Sequence, residues 1–159
     1  MSTVRVRIQE GDFSVDTELA QLRRLSSGAW NPQVGALASF VGTVRDRNEG
    51  DAVSGLTLEH YPGMTEKAIE AIIQRAEGRW PLLGAVVIHR VGPLAPADQI
   101  VLVAVASAHR EAALQACAFI MDFLKTEAPF WKRESTPQGE RWVDARVSDD
   151  EARRRWSAP

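Results

Sequence analysis

The stretch Gln99-Ile100-Val101-Leu102-Val103-Ala104-Val105-Ala106-Ser107-Ala108-His109-Arg110 decides the fold. From Ile100 to Ala106 it is apolar without alternation, the pattern of a strand covered on both faces. Directly after it, His109 to Glu127 repeats Ala113, Ala116, Cys117, Phe119 and Ile120 at helical spacing, and Pro129 ends the run. A central strand followed by a long core helix needs further strands beside it. Gly84 to Val91 supplies one, joined by the turn Gly92-Pro93-Leu94-Ala95-Pro96. Gly35 to Val44, interrupted by Gly42, and Val53 to Glu59 supply two more. Between them, Met64 to Arg79 places Ala68, Ile72 and Ala76 on one helical face with Ile69 and Ile73 beside it, and Trp80-Pro81 closes that helix. Thr3 to Ile8 alternates as a half-buried strand. Asp16 or Thr17 is expected to cap a short helix carrying Leu19, Leu22 and Leu25, with Gly28 stopping it. Downstream, Trp131 to Glu134 and Glu140 to Val143 flank Pro137-Gln138-Gly139 as a hairpin, and Asp149 to Trp156 reads as a terminal helix. The sum is an α+β domain over residues 1–159, with a mixed sheet, one long core helix and no dividing linker.

The 159 residues are 45% hydrophobic and 25% charged, with a formal net charge of −2, which argues against a nucleic-acid binder. No apolar run is long enough to span a membrane, and the first residues carry no signal region. One cysteine, Cys117, allows no internal disulfide and points to a reducing, cytoplasmic setting. His60, His89 and His109 are too dispersed for a metal cluster, and no Walker or dinucleotide glycine loop occurs, so neither metal nor cofactor is expected.

Three places carry candidate chemistry. Ser107-Ala108-His109-Arg110 brings a strand to a helix N-terminus, where free N–H groups favour an anion and Arg110 offers a planar donor fork. The alternative is a helix capped by Ser107 with both basic side chains solvated. Lys125 and Lys132 lie on either side of a proline bend among Phe130 and Trp131, so both ammonium groups could face one pocket. The alternative is a lysine that complements the helix C-terminus. Arg45 and Arg47 follow a buried strand, either as site residues or as a solvated loop. Cys117 reads as core, and His60 and His89 as structural.

These blocks fall into one family pattern. Gly35-Ala36 with Phe40-Val41-Gly42-Thr43-Val44-Arg45, Leu58-Glu59-His60-Tyr61-Pro62-Gly63-Met64, and His89-Arg90-Val91-Gly92-Pro93-Leu94 resemble successive signatures of the MoaE family, the molybdopterin synthase catalytic (large) subunit. So do Ser107-Ala108-His109-Arg110, Phe119 to Lys125, Ala128 to Glu134 and Trp142-Val143-Asp144-Ala145-Arg146. The likeness runs in order from about residue 34 to the C-terminus. It departs at Ala97-Asp98, where the family usually has Gly before the acidic residue.

The resemblance implies an α/β hammerhead-type fold with an added antiparallel β subdomain. It implies a sulfurtransferase that converts cyclic pyranopterin monophosphate (precursor Z) to the dithiolene molybdopterin. The sulfur donor is a ubiquitin-like small subunit with a C-terminal Gly-Gly thiocarboxylate, and the assembly is a heterotetramer around a homodimer of large subunits. Carried over by position, Lys125 and Lys132 become catalytic. Arg45, His109, Arg110 and Arg146 become substrate-binding, and Phe40, Met121 and Glu134 their neighbours in the pocket. A rival reading is a non-catalytic module that binds a phosphorylated metabolite or a ubiquitin-like protein.

Overall fold

A computed structural model describes residues 5–48, 50–143 and 147–157, except for the side chains of Asp51 and of residues 147–150. In chain order the elements are β1 (Val6–Gln9), α1 (Val15–Leu22), β2 (Ala36–Thr43), β3 (Arg47–Asn48), β4 (Asp51–Ala52), β5 (Gly55–His60) and α2 (Met64–Arg79). There follow β6 (Leu82–Arg90), β7 (Gly92–Leu94), β8 (Gln99–Ser107), α3 (Arg110–Glu127), β9 (Phe130–Thr136), β10 (Gly139–Val143) and α4 (Val147–Arg154).

The apolar run at 100–106 is the interior of the main sheet, whose order is β1-β6-β8-β2. β1 runs parallel to β6, and β8 is antiparallel to both its neighbours. Alternation sorts β8 between two cores. Val101, Val103 and Val105 face α2 and α3, against Ile69, Ile72, Ile73, Ala113, Phe119 and Ile120. Leu102 and Ala104 face α1, with Val86, Ile88, Phe13, Leu19 and Leu22. Leu102, Val103, Ala104 and Val105 are all 0% exposed, which is why the run lacks a polar face. Leu102, Val103 and Val105 each contribute roughly 1.5–3 kcal/mol by burial. Phe119, between the two long helices and the sheet, is the side chain whose truncation would cost most, about 3–5 kcal/mol.

Several helix ends differ from expectation. Ser14, not Asp16 or Thr17, caps α1: its Oγ accepts from the Thr17 amide at 3.3 Å. Asp16 and Glu18 instead sit in the first turn, where their charges suit the dipole. Leu25 falls outside the helix and is exposed, because its amide turns back to the Ala29 carbonyl beside the Arg24–Trp30 bridge. Ser107 does not cap α3. It ends β8 and donates to the Pro81 carbonyl at 2.8 Å, while His109 takes the cap position without a side-chain bond. At the other end of α3, Ala128 is extended, as Pro129 requires.

The second sheet, β10-β9-β5-β7, is wholly antiparallel and has its own core of Val44, Leu56, Leu58 and Leu94. β7 occupies residues expected to form only a turn. Gly92, at φ 83°, lets the chain leave β6 and cross to pair with β5. Ile100 packs against both cores, and the His89 ring stacks on Phe130 with centroids 3.9 Å apart, tying one sheet to the other. α4 is held by Trp156, whose Nε1 donates to Asp122 at 2.7 Å and whose ring meets Trp80 and Phe119 edge-on. The architecture is α+β. Among the described residues no helix is long and apolar enough to cross a membrane.

Candidate active site

Where the two sheets meet, a cavity of about 460 Å³ opens between the end of β2, the C-terminal turns of α3 and the inner face of β9. Each wall follows from local sequence. β2 loses its register with β8 at Gly42–Thr43, so Val44 turns into the second core and Arg45 reaches the cavity rim. The last turns of α3 present Met121, Leu124 and Lys125 at i, i+3 and i+4. The proline bend then starts β9, whose alternation sends Phe130, Lys132 and Glu134 inward and Trp131 and Arg133 outward. The two lysines, one in the last turn of a helix and the other near the start of the strand that follows, therefore line one cavity.

Among the described residues, four cationic side chains, Arg45, Arg47, Lys125 and Lys132, line this space against one carboxylate, Glu134. That carboxylate is already engaged. It is only 6% exposed, accepts from the Asn48 side-chain amide at 2.7 Å, and pairs with Arg141 at 3.1 Å. The bonds tie the short β3–β4 hairpin to the second sheet, and among the described lining residues cationic groups outnumber carboxylates. Such a cavity suits an anion. Cys117 is not part of it. Its thiol is buried against β8, donates weakly to the Val103 carbonyl at 3.7 Å, and is pushed up to about 11 by burial, the state of an inert thiol.

Of the residues singled out in the sequence, Arg45, Arg47, Lys125, Lys132, Phe40, Met121 and Glu134 come together here. His109 and Arg110 do not. They are exposed at the opposite end of α3, and the helix rise puts Arg110 roughly 22 Å from Lys125. Arg146 lies outside the described residues. Among the lining residues that the sequence did not mark for the site are Asn48 and His89. Asn48 stands in a stretch rich in turn formers and gives no sequence signal for burial. His89 was read as structural, yet it lines the cavity. Its imidazole lies flat on Phe130, and Nδ1 stands 2.8 Å from the Arg90 carbonyl. Burial, with the charges of Lys132 and Lys125, pushes its pKa down to about 3.

The sequence matches the family model described as MoaE protein over residues 8–127. The chain belongs to the MoaE family. Among its relatives, the molybdopterin synthase catalytic subunit of Ralstonia nicotianae is 62% identical over 151 residues, covering 95% of this chain and 83% of the relative. The solved molybdopterin biosynthesis MoaE protein of Burkholderia ambifaria superposes with a TM-score of 0.78 at 54% identity, over 97% of this chain and 98% of that one. A complex of subunits 1 and 2 of molybdopterin-converting factor from Helicobacter pylori shares the fold, with a TM-score of 0.68 at 21% identity over 91% and 92% of the two chains. With the MoaE family comes the activity: the chain works in molybdenum cofactor biosynthesis as the catalytic part of molybdopterin synthase, a sulfurtransferase.

Proposed function

We propose that the cationic cavity is the place of sulfur transfer. A ubiquitin-like small subunit inserts its C-terminal Gly-Gly thiocarboxylate, and cyclic pyranopterin monophosphate binds beside it. The observation that carries this reading is the convergence of Lys125 from α3 and Lys132 from β9 on one cavity rimmed by Arg45. Thiocarboxylate and phosphate are both anions, so the same excess of positive charge favours each. The thiocarboxylate sulfur attacks a substrate carbon next to Lys125 and displaces the oxygen bonded there, which leaves as the opened phosphate in one addition and as water in the other, so that an acyl thioester forms. Water cleaves the acyl–sulfur bond, the sulfur stays on the substrate, and the tail leaves as a carboxylate. A second charged small subunit repeats the step. Lys125 exchanges the proton and stabilises developing negative charge. Lys132 holds the tail terminus. No thiol of the chain takes part, in keeping with the burial of Cys117.

His109 and Arg110 find a place in the proposed homodimer at the centre of a heterotetramer. They serve the cavity of the second copy, since they stand too far from their own. This arrangement, with Arg146 as a further substrate ligand, suits a single domain acting in the cytoplasm. Lys125→Ala is expected to abolish product in a turnover assay while the small subunit still binds. Near wild-type turnover would overturn the assignment. Mixed dimers of Lys125→Ala and Arg110→Ala chains are expected to recover activity that neither homodimer has; no recovery would place Arg110 elsewhere.

A further inference from the structure

The cavity holds one side chain that the mechanism above leaves without a task. His89 sits on β6, between Ile8 of β1 and Val101 of β8, and lines the cavity beneath β9. A carbonyl can only accept, so the 2.8 Å approach of Nδ1 to the Arg90 oxygen places the proton on Nδ1. Nε2 is then a lone-pair acceptor, and no described residue donates to it. The ring cannot swing away, because it is stacked on Phe130 at 3.9 Å and 20°.

Phe130 fixes what stands next to that lone pair. Residues two apart on a strand share a face, so Lys132 leaves β9 on the side of the stacked ring. Among the described residues, the charged and titratable groups that act on the imidazole are Lys132 on β9, Lys125 on α3 and His60 on β5; its paired neighbours on β1 and β8, Ile8 and Val101, are apolar. A second cation among these would repel the lysines. Burial keeps the imidazole neutral instead, with its pKa lowered to about 3.

We infer that His89 is a positioning residue for sulfur transfer: once the thiocarboxylate tail enters the cavity, the Lys132 ammonium turns one of its three N–H groups to His89 Nε2, which aims the ammonium at the tail. The inference rests on the proposed role of Lys132 in this cavity. A neutral acceptor orients the ammonium without cancelling the charge that attracts the tail, which a carboxylate in the same place would do. It also favours the protonated lysine.

The test uses the complete synthase, with thiocarboxylated small subunit and the cyclic pterin substrate. His89→Phe keeps a ring on Phe130 and removes the acceptor. It should lower kcat about 10-fold or more, as expected for one charge-assisted hydrogen bond. Small-subunit affinity should stay within about two-fold, by the same reasoning that the lost bond orients a group that is already charged. His89→Gln puts an amide oxygen near the Nε2 position and should restore kcat to within about three-fold, whereas His89→Asn, which reaches only the Nδ1 position, should not. The alkaline limb of the kcat profile should move to lower pH in His89→Phe, because the ammonium has lost its acceptor. A merely structural histidine would not move that limb. An unmoved limb with near wild-type kcat in His89→Phe, or a His89→Gln variant as slow as His89→Phe, would overturn the inference. Lys132→Ala separates the two levels. If it abolishes turnover and His89→Phe does not, only the positioning role falls. If Lys132→Ala is active, the reading of the cavity falls and takes this role with it.

Discussion

Replacing Ala97 by Gly should make the protein more stable. Ala97 has φ 78°, the only left-handed residue other than glycine among those described. Its conformation is enforced from both sides. Its amide donates to the Val44 carbonyl at 2.8 Å, and the Val44 amide returns a bond to the Asp98 carbonyl at 2.9 Å. Asp98 also accepts from the Ala95 amide at 2.8 Å, closing the turn that leads into β8. A Cβ in this region costs roughly 1–2 kcal/mol. Glycine removes that strain but gives the unfolded chain about 0.4–1 kcal/mol more entropy to lose. The difference is a net stabilisation of about 0.5–1 kcal/mol, or roughly 1–4 °C in Tm for a chain of this length. Ala97→Val should move the other way by about 1 kcal/mol or more, since a β-branched side chain tolerates this region worse. Urea unfolding at a fixed protein concentration measures both, with m unchanged. A lower midpoint for the glycine variant, or a valine variant as stable as wild type, would refute the strain argument. The turn matters beyond stability, because Val44 immediately precedes Arg45 at the cavity rim.

Gly35→Ala should be strongly destabilising, by about 2 kcal/mol or more: an added Cβ would lie 2.1 Å from the Ala108 carbonyl oxygen, and backbone cannot yield there. A chemical-denaturation midpoint near wild type would contradict it. Cys117 is predicted to make the fold sensitive to alkali. Its thiol is raised from 9.0 to about 11, so above pH 9 the unfolded chain releases a proton that the folded one keeps, and stability falls between pH 9 and 11 by at most about 2–3 kcal/mol. Cys117→Ala should remove that part of the decline. His89 works at the acid end. Its folded-state pKa is about 3 against 6.5 unfolded, so its contribution is complete above pH 6.5 and is lost as pH falls from there toward 3. Acid unfolding of His89→Phe should begin at lower pH than wild type, read by circular dichroism.

Long elements with strong periodicity were legible in the sequence. The both-faced apolar run became β8, and the helix expected over 64–79 is α2 residue for residue. Burial of a regular face leaves a pattern in one dimension. Features set by pairing between distant segments left none. Gly92-Pro93-Leu94 looks like a turn because a three-residue strand has no period, and its partner β5 lies far upstream. His89 looked structural because the sequence does not say that β9 will fold across β6. The convergence of Lys125 and Lys132 could be anticipated from the proline bend between them. The distance of His109 and Arg110 from the cavity follows equally simply from the length of α3. The resemblance named them as pocket residues without saying whose pocket.

The alternation of β9 also sets a rule for how this enzyme tolerates change. Phe130, Lys132 and Glu134 point inward only because the link from α3 is Ala128-Pro129 and no longer or shorter. A one-residue insertion or deletion there would turn the strand over and offer Trp131 and Arg133 to the cavity instead. Arg133 is also a cation, so such a variant could retain the overall attraction for anions while losing the lysine that acts on them. Substitution along this strand is a matter of degree; a change in its length is a change of reading frame for the active site.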